Sequence, residues 1–149
     1  MRHGKKALGV IFYIVLAWLC YAFTVMAHEW THGFIAWIWG YKSNPLNINY
    51  GGTGWRNLLY FADIREAINY ISIGQAGHPY QAAFISIAAP LFANGGIMCI
   101  SGLYFKDHCF KKPIYSWLIF WLFIWNLGEF FSYFVQRCFS NHGDISGFL

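Results

Sequence analysis

Charge is scarce in this sequence. Of its 149 residues only 11% are Asp, Glu, Lys or Arg, against about 25% in soluble domains. A fully water-exposed surface is thereby excluded for most of the chain. Acidic residues number six: Glu29, Asp63, Glu66, Asp107, Glu129 and Asp144. The formal net charge is +4, yet the basic residues form no continuous stripe, which excludes a nucleic-acid-binding face. Cysteine is sparse and badly spaced for chemistry. Cys20, Cys99, Cys109 and Cys138 form no CxxC pair, so a cysteine zinc site is not expected and no redox compartment follows. No internal repeat or low-complexity stretch is evident, and a chain of this length makes one domain, residues 1–149.

Apolar and aromatic residues fill the space that charge leaves. They make up 58% and 22% of the chain, with 15 Phe, 10 Tyr and 8 Trp. Such an excess suits lipid-facing surfaces and interfacial belts. Three apolar segments follow. The first runs from Ala7 to Ala27 behind Arg2, Lys5 and Lys6. It is longer than the usual apolar core of a cleaved signal, about 7–15 residues, so it reads as a retained span. Its helix is expected to continue to about Trp39 and to stop at Gly40. The second runs from Tyr80 to Phe105 and contains Pro90 and Gly95-Gly96, which predict a kinked or open helix. The third runs from Pro113 to about Phe139 and holds Asn126 and Glu129.

Residues 41–79 are rich in turn signals, and Leu46–Tyr50 alternates apolar and polar side chains as a half-exposed strand would. The expected fold is an all-α membrane protein of about three transmembrane helices, with a short irregular or β-hairpin segment between the first two. Basic residues cluster at the N-terminus and at Lys106, Lys111 and Lys112. Both sites are expected on the cytoplasmic side, giving a multi-pass protein with a cytoplasmic N-terminus. The chain stops soon after Asp144, which leaves room for a further span in a longer protein.

The residues with chemistry sit where the first segment ends. His28-Glu29-Trp30-Thr31-His32 is an HExxH sequence on a predicted helix. Residues four apart share one helix face, so both imidazoles can reach one Zn2+ ion. Glu29 projects beside the metal and is the candidate catalytic base for water attack on a peptide bond. Ionisable residues at the edge of a membrane helix are expensive, and function is their default explanation. A catalytic zinc usually has three protein ligands plus water. Asp144 is the favoured third ligand and Glu129 the alternative, as ligand or as hydrogen-bond partner of a ligating histidine. Asp107 falls at the wrong membrane face. His142 reads as an exposed loop residue, and Asp63 and Glu66 as a solvated loop pair.

With these residues in place, the chain resembles a divergent member of the site-2 protease family of intramembrane zinc metalloproteases. Three pieces carry the resemblance: His28–Gly33 within a membrane helix, Ser86–Asn94, and Asp144. The second is similar to the family element in which Gly-Pro precedes an Asn, with Ala89 in place of the Gly. The third stands in His142-Gly143-Asp144-Ile145 rather than in the usual Leu-Asp-Gly. The resemblance implies zinc held by His28, His32 and Asp144, with Glu29 as base and Asn94 holding substrate or assisting near the site. It also implies a transmembrane or membrane-associated protein substrate cut at or within the bilayer. Other functional classes fit the same residues: a non-proteolytic zinc-binding membrane protein, or a zinc-dependent hydrolase of lipid or a small amide.

Overall fold

A computed structural model describes residues 2–108 and 113–136. Helix α1 spans Arg2–Ile38, α2 Trp55–Tyr60, α3 Tyr70–Gln75, α4 Pro79–Ala88, α5 Gly96–His108 and α6 Pro113–Phe131. A π-helical segment, Ala89–Gly95, joins α4 to α5 with no intervening loop, and a second one, Ser132–Gln136, continues α6. Three runs are long and apolar enough to cross a membrane: Leu8–Ile38, Pro79–Lys106 and Pro113–Val135. The protein is an all-α membrane protein, as its apolar runs predict. A helix satisfies its own backbone donors and acceptors, which hydrocarbon cannot do for it.

The second run is the central one. Its most apolar stretch is 50% buried, against 11% for each of the others. Small residues allow the close approach. A Cβ added to Gly95 would meet a ring carbon of Phe130 at 3.1 Å, and one added to Gly102 would meet Phe123 at 3.1 Å. These two contacts lie two turns apart on antiparallel helices. In lipid, where apolar burial gives little driving force between helices, such packing holds them together. The burial pattern agrees. Leu8, Ile11, Ile14 and Leu19 of α1 face outward, while Thr24, His28, His32, Asn94 and Asn126 are buried.

Helix α1 stops as its sequence predicts. Gly40 has φ +78°, its N–H donates to the Trp37 carbonyl at 3.0 Å, and the Tyr41 N–H donates to the Ala36 carbonyl at 2.9 Å. That pairing satisfies orphan carbonyls at the helix end and needs a left-handed residue, which glycine supplies. Pro90 lies at the start of the π-helical segment. It cannot donate to the carbonyl one α-turn behind, so the ordinary ladder fails there and the helix widens.

The 41–78 region is irregular. The strand expected at Leu46–Tyr50 is reduced to one antiparallel bridge, Asn49 with Arg65. Side chains organise the rest. The buried Asn57 amide donates to the Tyr50 and Gly52 carbonyls at 2.9 and 2.8 Å, and its Oδ1 accepts from the Asp63 N–H at 3.1 Å. Gly51 lies against it with φ +72°, and a Cβ there would stand 2.6 Å from the amide nitrogen. Ala36, Ile73, Ala82 and Ile85 form a small apolar core that fastens α3 to α1 and α4. Asn57→Ala leaves two carbonyls and an N–H without their partner. A loss of about 1–3 kcal/mol is expected, read as a lower thermal midpoint and faster proteolysis at residues 50–63. Unchanged proteolysis would mean that Asn57 does not hold this loop.

Candidate metal centre

His28 and His32 lie one turn apart on α1, and both are buried. Each is oriented from behind by a different element. Nδ1 of His32 lies 2.7 Å from the Ile85 carbonyl of α4. A carbonyl only accepts, so His32 carries its proton on Nδ1. Nδ1 of His28 lies 2.6 Å from Oδ1 of Asn94, in the π-helical segment, and carries its proton likewise. In the neutral form of each ring the Nε2 atom then presents a lone pair, and the two Nε2 atoms face each other at 3.2 Å. Two lone pairs in that arrangement repel, and a cation between them, whether a proton or a metal ion, reverses the sign.

The spacing fits a metal ion. Zinc at about 2.0–2.1 Å from two nitrogens in tetrahedral geometry sets those nitrogens about 3.3–3.4 Å apart. Ligating histidines ordinarily donate their other ring N–H to a fixed acceptor, and both residues do so here. Tyr133, in the π-helical segment that continues α6, stacks on His28 with ring centroids 4.7 Å apart and planes at 25°. It closes one side of the pair.

A cleft of about 190 Å³ opens beside His28. Glu29, Glu129, Tyr21, Tyr60, Phe61 and Tyr133 are among the residues that line it. The two carboxylates singled out from the sequence as base and alternative ligand thus share one cavity, while Asp63 and Glu66 do not line it. Phe61 adopts φ +53°, a costly conformation for a bulky residue. Its ring packs 5.5 Å from Trp18 and 5.7 Å from Tyr21, contacts that fix it as a wall of the cleft. A larger apolar groove of about 790 Å³ runs alongside, between α1 and α6. Val10, Ile14, Trp18, Trp117 and Trp121 line it, and it shares Tyr21, Tyr60 and Glu129 with the cleft.

The glycine that follows the HExxH sequence has a steric task. A Cβ on Gly33 would lie 2.2 Å from the Pro45 carbonyl oxygen and 3.6 Å from Lys42 Nζ. Only a bare helix surface lets the 41–46 loop fold back there. That loop carries Lys42, whose ammonium donates to the Glu66 carbonyl. Burial pushes the Lys42 ammonium below its ordinary pKa, and the carboxylates of Glu66 and Glu29 oppose that shift. A cation thus stands within electrostatic reach of Glu29. The sequence offers no sign of this, since Lys42 stands in the irregular 41–79 segment with no motif around it.

Among the described residues, no group of three His, Cys, Asp or Glu side chains is placed to hold one ion. Glu129 shares the cleft without joining the pair. Asp144, the favoured third ligand, and His142 lie outside the described residues. Asn94, expected to meet substrate, is fully buried and bonds His28 on one side and Asn126 on the other. No protein-family model, no curated protein and no solved structure matches this chain.

Proposed function

We propose that this protein is an intramembrane zinc metalloprotease, akin to the site-2 proteases, that cuts membrane-protein substrates at or within the bilayer. The observation that carries the reading is the pair of Nε2 lone pairs facing each other at 3.2 Å, each committed by a hydrogen bond at its Nδ1. His28 and His32 would hold Zn2+, with Asp144 or Glu129 completing the set. The ion would supply Lewis acidity, polarising the scissile carbonyl and acidifying water. Glu29 lines the same cleft as His28 and would take the proton from the attacking water, then return it to the leaving amine.

The groove between α1 and α6 supports a substrate that arrives from the bilayer. It is apolar, faces lipid along two spans and runs into the cleft at Tyr21, Tyr60 and Glu129. A transmembrane segment lying in it must unwind locally before its backbone can be attacked, because a helix in lipid has every peptide group bonded.

Metal analysis of the purified chain tests the reading. The wild type is expected to hold a single zinc, and His28→Ala and His32→Ala to lose it. Loss in Asp144→Ala with retention in Glu129→Ala would assign the third ligand to Asp144, and the reverse pattern to Glu129. A wild-type protein without zinc would sink the proposal. Zinc without cleavage of any membrane-protein substrate would make it a non-proteolytic zinc protein.

A further inference from the structure

Behind His28 runs a line of buried polar side chains that the hydrolytic chemistry does not use. Thr24, Asn94 and Asn126 are each fully buried and come from three different helical runs. Thr24 donates its hydroxyl to the Cys20 carbonyl at 3.0 Å. Asn126 donates from Nδ2 to the Leu122 carbonyl at 2.8 Å and to Thr24 Oγ1 at 3.0 Å. Asn94 donates from Nδ2 to Asn126 Oδ1 at 3.2 Å, and its own Oδ1 faces His28 Nδ1 at 2.6 Å.

The direction of each bond is forced. Two backbone carbonyls, Cys20 and Leu122, can only accept. Asn126 must therefore turn its NH2 toward Leu122, which leaves its Oδ1 toward Asn94. Asn94 must answer with its NH2, which leaves its Oδ1 toward His28. His28 must then carry its proton on Nδ1. Reversing any one amide sets two acceptors against each other somewhere along the line, in a place water does not reach. Thr24 could turn its hydroxyl to suit a reversed Asn126, but the Leu122 carbonyl could not.

We infer that Asn126, pinned by the Leu122 carbonyl and supported by Thr24, is a positioning residue that acts through Asn94 to hold His28 in its Nδ1–H tautomer. The Nε2 lone pair is thereby committed to a cation before any cation arrives. His32 needs no such line, because the Ile85 carbonyl fixes it directly. This inference rests on the reading of the two histidines as a metal pair. Its first readout, however, needs neither metal nor proteolysis.

The test is nitrogen NMR of histidine-labelled full-length chain in lipid nanodiscs, before and after addition of zinc alone. In metal-free wild type, His28 is expected as the Nδ1–H tautomer, and a His28 protonated on Nε2 would overturn the inference without any variant. In Asn126→Leu the Nε2–H form is expected to appear, and zinc affinity to fall about 10–100-fold. Thr24→Val should have the smaller effect on both readouts, since the Leu122 carbonyl still orients Asn126. An unchanged tautomer and affinity in Asn126→Leu, or a larger effect from Thr24→Val, would also overturn it. If Asn126→Leu does not fold, Asn126→Ala carries the same expectation, and the wild-type spectrum decides by itself. The expected tautomer in a chain that cleaves nothing would leave this inference standing and remove the protease. Cleavage by a chain whose His28 is protonated on Nε2 would do the opposite.

Discussion

Glu29→Gln is expected to keep its zinc and lose its catalysis. Glutamine preserves the shape and most of the hydrogen bonding of the side chain but cannot take a proton. General-base catalysis contributes about 10²–10⁴-fold, so cleavage should fall by that factor. Metal content should not fall, because the proposed ligands are the two histidines and one carboxylate, none of which is Glu29. The cavity supports the division of labour, since His28 and Glu29 both line it from neighbouring positions on one helix. The measurement is cleavage of a transmembrane reporter in proteoliposomes, with zinc determined on the same sample. Full activity in this variant would refute the base assignment. Loss of zinc together with activity would instead make Glu29 part of the metal set.

Gly33→Ala should dislodge the loop that follows α1. Its new methyl group would sit 2.2 Å from the Pro45 carbonyl oxygen, and the atom in the way is backbone rather than a pliable side-chain tip. Overpacking of this kind costs about 1–3 kcal/mol. The loop is the softer partner, so it should give way while α1 remains helical. Lys42 leaves with it, and Glu29 loses its neighbouring cation. The expected result is a lowered thermal midpoint, new proteolytic cutting in residues 41–46 and reduced cleavage of substrate, with zinc retained. Resistance of the 41–46 loop to protease in Gly33→Ala would show that the close approach is not maintained in the membrane.

The sequence carries the histidine pair plainly because the spacing is local. A repeat of four on a helix determines a shared face with no knowledge of the rest of the chain. The end of α1 at Gly40 and the disturbance at Pro90 are local in the same sense, and both are where the residue types put them. The partners of the histidines are not local. Asn94 is recognisable as a site residue, but its contact with His28 joins positions 66 apart in the chain. Asn126 stands out as a polar residue in a span, yet nothing in its surroundings names Thr24 or Asn94 as its partner. A usable signal did exist. Buried amides in hydrocarbon must be bonded, and pairing the few available against one another would have narrowed the choice. The 41–78 region was least legible. Asn57 and Gly51 shape it through side-chain bonds to carbonyls, which leave no periodic mark.

The line from Thr24 to His28 also has an order in time. Both histidines belong to the first of the three apolar runs, Asn94 to the second and Asn126 to the third, and a ribosome completes them in that order. A nascent chain that has inserted only its first helix carries the whole HExxH sequence with neither imidazole oriented. The second run brings the Ile85 carbonyl for His32, and the third brings the amide that orients Asn94 toward His28. Orientation of the two imidazoles is thus tied to insertion of all three runs, and a chain that has inserted fewer would lack the arranged pair.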